Sequence, residues 1–225
     1  MRFVLILFMF ASLFGVDNIA TVEKIKGSVK VLKVGSIKKT HVKEGYKVEI
    51  GDRVSTSSSA SAMLKLIDGS KIILENSSSI EFPAKLAINQ IEGNVFYKIR
   101  KRDLSGAIKI TTPFAIIGIK GTSFIVKSGK SDSIALEEGK IGVESVGEAF
   151  ELYRQKVISE YTKFLLQQKN AYNEYLKQQG ITTKEIVKSF DLEEGKQVSF
   201  DKRRVDEASL SQYSKDEFKH FKSLF

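Results

Sequence analysis

The chain has 225 residues, 42% of them hydrophobic and 28% charged, which is enough for one sizeable domain and too apolar for a disordered chain. It has no cysteine, which excludes disulfides, thiolate nucleophiles and zinc–thiolate sites. Its two histidines, His41 and His220, lie too far apart in the sequence to suggest a metal site. We therefore expect no metal and no cofactor, and the net charge of +9 leaves an anionic partner to be considered.

The first twenty residues have the organisation of a secretory signal peptide. Arg2 precedes an apolar run from Phe3 to Phe14, and the small residues Gly15 and Ala20 follow it. A twelve-residue run rises about 18 Å as a helix, too short for a bilayer, so a retained anchor is the weaker alternative. We expect cleavage between Gly15 and Ala20 and export of the mature chain.

The basic residues form two dense stretches, 98–102 and 202–204. Apart from Tyr97, they lack the interleaved aromatic residues of single-strand nucleic-acid binders, and export also argues against nucleic acid. We interpret them as solvated sheet edges that discourage aggregation. Attraction to anionic envelope polymers or lipid head groups stays open as the alternative, with at most peripheral contact to a membrane.

From Thr21 to about Ser145, short alternating runs separated by glycines predict small antiparallel strands. One turn-like unit recurs around five glycines, for which we expect positive φ: Gly27, Gly45, Gly93, Gly139 and Gly195. The clearest hairpin spans Ser61 to Glu75. A three-residue loop centred on Gly69 is predicted to place Leu66 opposite Ile72 and Leu64 opposite Leu74, with these side chains in the core.

At Gly147 the spacing of the apolar residues changes from that of a strand to that of a helix. From Glu148 to Gln179 the apolar residues fall three or four apart and predict an amphipathic helix: Phe150, Tyr153, Val157, Tyr161, Phe164, Leu165, Tyr172, Tyr175 and Leu176. Thr182 and Glu185 form a capping box that predicts a second helix through Phe190. The aromatic stripe either packs on the sheets or docks a partner, and we assign partner binding to Phe150, Tyr153, Tyr161, Phe164, Tyr172 and Tyr175.

Strand-like sequence returns at 191–205, and residues 211–225 predict a last helix with Tyr213, Phe218, Phe221 and Leu224 facing inward. The expected organisation is a signal peptide (1–20), a β domain (21–147), a helical insertion (148–190), closing strands of the β domain (191–205) and a C-terminal helix or tail (206–225).

The β region resembles the FecR domain of bacterial envelope signalling over roughly residues 24–146 and 192–205. The strongest match is TPFAIIGIKGTSFIV, with a Thr-Pro step and a Gly-x-x-Gly-Thr unit before a strand. Signature positions, expected to be structural, are Gly51, Asp52, Thr56, Asp68, Gly69, Thr112, Pro113, Gly118, Gly121 and Thr122.

The resemblance implies a compact, mainly β periplasmic domain, a two-sheet roll or sandwich, without catalytic activity. From the sequence we expect neither the cytoplasmic anti-sigma segment nor the mid-chain transmembrane helix of related iron-uptake regulators. We expect a non-enzymatic interaction or signalling module that binds a protein partner in the envelope or associates with itself, a binder of peptidoglycan or lipid phosphates being the alternative. The acidic pairs Glu137–Glu138 and Glu193–Glu194 do not suggest an acid–base site, because neighbours in a strand face opposite ways and neighbours in a turn are solvated.

Overall fold

The computed structural model describes residues 18–101, 106–155 and 182–224. Residues 1–17 of the predicted signal sequence and the middle of the predicted helical arm lie outside these ranges, whereas residues 18–20, assigned to the signal sequence, begin the first strand. The described chain is mainly β, as expected, and its strands form two sheets around one core.

Sheet A is antiparallel except for one parallel pair, formed by the strands Arg204–Ser209 and Phe150–Gln155. Its strands are, in spatial order, β4 (Lys47–Glu49), β1 (Asn18–Lys26), β6 (Ser61–Leu66), β7 (Lys71–Leu74), the second half of β9 (Ala87–Lys98), β12 (Ser123–Ser128), β13 (Asp132–Glu138), β18 (Lys196–Asp201), β19 (Arg204–Ser209), β15 (Phe150–Gln155) and β16 (Thr182–Val187).

Sheet B also has one parallel pair, β9 with β10. Its strands are, in spatial order, β3 (Thr40–His41), β2 (Val29–Leu32), β5 (Arg53–Thr56), β8 (Ser79–Ala84), the first half of β9, β10 (Ile108–Thr111), β11 (Ala115–Ile119), β14 (Lys140–Ser145) and β17 (Ser189–Glu193).

Strand β9 belongs to both sheets and crosses between them at Gly93. The φ of Gly93 is +97°, and a Cβ there would lie 2.4 Å from the Cα of Ser78, so only glycine fits the crossing. Buried Gln90 stabilises the bend, because its amide donates to the carbonyls of Gly93 and Val126, each at 3.0 Å. All five turn glycines predicted from the sequence have positive φ, although Gly93 lies inside a strand.

The hairpin β6–β7 has the predicted buried face but a register two residues away from the predicted one. Leu64 lies opposite Ile72 and Ala62 opposite Leu74, around a loop formed by residues 67–69. The difference arises because Gly69, with φ of +83°, ends the loop rather than centring it, and the Asp68 carboxylate accepts the backbone N–H of Ser70 at 2.9 Å. A two-residue shift preserves which side chains face the core.

The two helices predicted for 148–190 are wrong wherever the chain is described. Residues 150–155 and 182–187 form strands β15 and β16, which pair with each other, and residues 189–193 form β17. Phe150 and Leu152 alternate inward and are 3% and 0% exposed. Pairing with β19 on one side and β16 on the other extends sheet A, and this non-local gain overrides the helical spacing.

The predicted C-terminal helix is present as α1 (Gln212–Ser223). Ser211 caps it by accepting the backbone N–H of Ser214 at 3.1 Å. Its Phe218 and Phe221 cover the outer face of sheet A, where they pack on Met63, Ile73, Phe96, Ile125 and Ala135. Tyr213, expected inward, is 66% exposed, and the Lys127 ammonium lies 4.4 Å from its ring centre.

Candidate functional site

The polar signature residues hold turns together. Asp52, between β4 and β5, is 1% exposed, and one of its carboxylate oxygens accepts the backbone N–H of Glu49 at 3.1 Å and the Tyr46 hydroxyl at 3.4 Å. Burial raises the pKa of Asp52, an effect opposed by the hydrogen bond from Glu49. Its role is to satisfy backbone and side-chain donors at the turn.

Two threonines act in the same way. The Thr56 hydroxyl accepts the backbone N–H of Ser78 at 2.9 Å. The Thr112 hydroxyl accepts the backbone N–H of Ala115 and donates to its carbonyl, both at 2.9 Å, which closes the β10–β11 turn that contains Pro113. Both hydroxyls are hydrogen-bonded to backbone groups of the fold, so they are not available to a ligand.

Most signature glycines also serve the backbone. Gly51, Gly69 and Gly121 have φ between +83° and +89°. A Cβ on Gly121 would lie 2.6 Å from the Cα of Lys101. The next residue, Thr122, is buried and exchanges two backbone hydrogen bonds with Ile99, at 2.9 and 3.1 Å. The Gly-Thr step therefore holds the segment after β9 against the start of β12.

Gly118 differs from these glycines. It lies inside β11 with no positive φ, and a Cβ there would find nothing within 4 Å. Directly opposite it on β14 lies Gly142, where a Cβ would meet only a carboxylate oxygen of Asp191 at 3.9 Å. Neither backbone geometry nor packing among the described residues requires glycine at these two positions.

The two glycines form the middle of a row across the outer face of sheet B. Lys109 on β10 lies opposite Gly118, and Asp191 on β17 lies opposite Gly142. Adjacent strands are about 4.8 Å apart, so the row is about 14 Å long. A groove of about 530 Å³ follows it, with Ile116, Glu144 and Ser189 among its walls.

The charges at the groove are of both signs. Asp191 pairs with Lys140 at 2.9 Å, whereas Lys109 and Glu144, both exposed, make no ion pair or hydrogen bond with other described side chains. Elsewhere on this face some outward side chains pair with each other, as in Arg53 with Glu81 at 2.7 Å. The groove is therefore a glycine-floored depression that combines apolar walls such as Ile116 with two exposed charges, Lys109 and Glu144, that have no partner among the described side chains.

The sheet edge beside the groove is blocked. Arg154 of β15 donates to the backbone carbonyl of Asp191 at 2.8 Å and pairs with Glu207 at 2.8 Å. Its guanidinium lies 5.5 Å from the centre of the Phe190 ring. Because Arg154 occupies a carbonyl on the open side of β17, it opposes the addition of a further strand there.

The aromatic residues assigned to partner binding do not form a described surface. Phe150 is 3% exposed and packs against Phe190 with ring centres 5.8 Å apart, so its side chain faces the core of the described structure and not an open surface. Tyr153 is half-buried, with the Arg204 guanidinium 4.4 Å from its ring centre. Tyr161, Phe164, Tyr172 and Tyr175 lie outside the described residues.

The second basic stretch is largely neutralised. Arg203 pairs with Glu148 at 2.8 Å, and Arg204 with Asp206 at 2.8 Å, which lowers the pKa of Asp206. In the described part of the chain, three of the four residues of the acidic pairs are engaged as well, Glu138 being the exception. Glu137 accepts from Lys222 at 2.8 Å, Glu193 pairs with Lys140 at 3.0 Å, and Glu194 accepts the backbone N–H of Gly139 at 3.1 Å.

Over the described ranges, no three His, Cys, Asp or Glu side chains are grouped as a metal site would require. In the same ranges, no helix has the length and hydropathy needed to span a membrane.

Of the groove residues, only Gly118 was singled out from the sequence. Lys109, Gly142, Glu144 and Asp191 were missed, because only the pairing of β10, β11, β14 and β17 brings them together. The available signal was a second glycine inside a strand pattern, Gly142 three residues after the turn glycine Gly139.

Comparison with known proteins identifies one family. The FecR protein family matches residues 52–142. No curated protein matches the chain.

Among solved structures, the chain is similar to two crystal structures of a candidate anti-sigma factor from Parabacteroides distasonis. Their TM-scores are 0.48 and 0.47, at 12% and 13% sequence identity. Each likeness covers 70% of this chain and 59% of the other.

Proposed function

Residues 52–142 belong to the FecR protein family, and on this basis we propose that the chain is a non-enzymatic protein-interaction module of cell-envelope signalling. It is exported through its N-terminal signal sequence, acts in the periplasm, and binds a protein partner there. The family match supports the coarser part of this proposal, a signalling or regulatory role.

The groove on sheet B is the observation that carries the proposal. Glycine inside a strand weakens it, and it commonly marks a place where a ligand or another chain approaches closely. Gly118 and Gly142 are neighbours across two strands, and no contact within the described chain accounts for either of them. The opposite face, on sheet A, is covered by α1, which leaves sheet B as the open face of the described fold.

The test is capture of a partner from solubilised envelopes of the producing organism by the immobilised protein. The double variant Gly118→Val/Gly142→Val fills the groove with side chains that extended backbone accepts. We expect it to keep its thermal unfolding midpoint but lose the captured protein. Gly147→Val is the matched control, because Gly147 has neither a positive φ nor an atom within 4 Å of an added Cβ, and it does not line the groove.

A wash at high salt concentration distinguishes binding to a protein partner from binding to an anionic polymer. The Debye length falls from about 8 Å at 0.15 M salt to about 3 Å at 1 M, so a polymer bound through lysines would be released. A protein held in the groove should survive the wash. Capture of equal amounts of the same protein by the parent and the groove-filled variant would contradict the groove as the binding site, and release of all bound material by salt would favour the polymer.

A further inference from the structure

The two unpaired charges define what fits the groove. Lys109 and Glu144 lie two strands apart and two residue positions apart along the strands. At about 4.8 Å between strands and about 3.3 Å per residue, their Cα atoms are about 12 Å apart. An extended peptide covers that distance in about four residues, which matches an acidic and a basic residue at positions i and i+4.

Between these charges the floor consists of the backbone at Gly118 and Gly142, bordered by the side chain of Ile116, which lies opposite Glu144. The peptide groups of this floor are hydrogen-bonded within the sheet. The floor is therefore a flat surface with no backbone donors or acceptors left for a ligand to satisfy. Aromatic rings cover strand glycines effectively, and the neighbours of Gly118 and Gly142 in the row, Lys109 and Asp191, are not aromatic. Aromatic side chains are also the commonest anchors of protein interfaces.

We propose that the groove binds an extended segment of a partner protein whose central aromatic side chain lies on Gly118 and Gly142, with an acidic residue at Lys109 and a basic residue at Glu144. This inference rests on the proposed function and names the chemistry of its partner. The aromatic side chain supplies the buried contact, and the two charges fix the direction of the segment across the strands.

The probe is the acetylated and amidated peptide Asp-Ala-Tyr-Ala-Lys, titrated into isotope-labelled protein. Backbone amide resonances of Gly118 and Gly142 should shift. The peptide with alanine in place of tyrosine should bind about tenfold more weakly, because it loses the ring contact. Gly142→Val and Lys109→Glu should each weaken the tyrosine peptide about tenfold, and Gly147→Val should bind it like the parent.

Three results would overturn the proposal. Equal binding of the tyrosine and alanine peptides would contradict the proposal that an aromatic side chain anchors the partner. Shifts of the same glycine resonances by methyl glycosides, in the absence of peptide binding, would assign the groove to a glycan. Peptide binding only after residues 156–181 are replaced by Asn-Gly, which joins the paired residues Gln155 and Thr182 directly, would mean that the chain's own segment fills the groove.

These outcomes are separable from those of the capture experiment. Peptide binding at the groove without any captured envelope protein would leave the groove chemistry intact and contradict the proposed function. If the groove-filled variant still captures the envelope protein and no peptide binds, the chain has a protein partner but the groove is not where that partner binds.

Discussion

Gly118 and Gly121 lie three residues apart in one signature, yet their backbone conformations and their surroundings differ. Gly121 has φ of +88° and lies against the backbone of Lys101, whereas Gly118 is extended and faces open space. Glycine therefore has a folding role at position 121, whereas at position 118 nothing in the described part of the chain requires it.

Substituting the two glycines should separate these roles. Gly121→Val should lower the free energy of unfolding by about 2 kcal/mol or more, because a β-branched residue resists positive φ and its Cβ would overlap the Lys101 backbone. Gly118→Val should change it by less than about 0.5 kcal/mol. Urea denaturation of both variants measures the difference, and equal losses would contradict the distinction.

At the scale of elements, β9 is the strand on which both sheets depend. Its crossing is held by a buried polar network in which the Tyr97 hydroxyl donates to the Gln90 side-chain carbonyl at 2.9 Å. Tyr97 is fully buried, and burial raises the pKa of its hydroxyl. The Gln90 amide donates to backbone carbonyls on both β9 and β12, at Gly93 and Val126, so the network ties the crossing to the neighbouring strand.

A double-mutant cycle tests this network. Tyr97→Phe alone should cost about 1–3 kcal/mol, because it leaves a buried carbonyl oxygen of Gln90 without a donor. In a Gln90→Leu background, which should itself be strongly destabilised, the same change should cost clearly less. Chemical denaturation of the parent, the two single variants and the double variant provides the coupling energy. Additive costs would mean that the two side chains act independently.

The strands β15 and β16 show why local spacing failed in the predicted arm. Phe150 and Tyr153 satisfy a helical spacing, but Phe150 and Leu152 also satisfy the two-residue period of a strand. A short segment compatible with both periods takes the structure that its neighbours complete. Here β19 and β16 supply hydrogen-bonding partners on both sides.

At the scale of the whole molecule, the two sheets enclose the core, and α1 covers only sheet A. Strand β1 joins this assembly from its first residue. Asn18 pairs with Glu49, Ala20 pairs with both Val48 and Leu66, and Ile19 and Ala20 are 3% and 2% exposed. The fold therefore uses residues that the predicted cleavage zone, Gly15 to Ala20, partly overlaps.

The position of β1 narrows the expected processing site. Cleavage that preserves the strand must occur before Asn18, so we expect the exported protein to begin at residue 16, 17 or 18. N-terminal sequencing of protein from the periplasmic fraction measures this. A start after residue 18 would contradict the role of β1 in the core, and an intact Met1 in the cytoplasm would contradict export.

Local patterns in the sequence were sufficient for the mainly β class, the five turn glycines, the buried face of the β6–β7 hairpin and the C-terminal helix. Each of these depends on residues close together in the chain, since a turn, a two-residue period or a helix cap is complete within a few positions. Three of the signature positions belong with them, because Asp52, Asp68 and Thr112 bond to backbone in the turns they close. Thr56 does not, since its hydroxyl accepts the backbone N–H of Ser78, 22 positions away.

The remaining features of the fold and of the candidate site are decided by tertiary structure alone. The crossing of β9, the strand state of 150–155 and the groove all arise from pairings between distant segments. Gly118 and Gly142 are twenty-four positions apart in the sequence, and their alignment with Lys109 and Asp191 requires four strands in one register. A single-residue slip would turn every one of these side chains to the other face, so no local pattern can specify the groove.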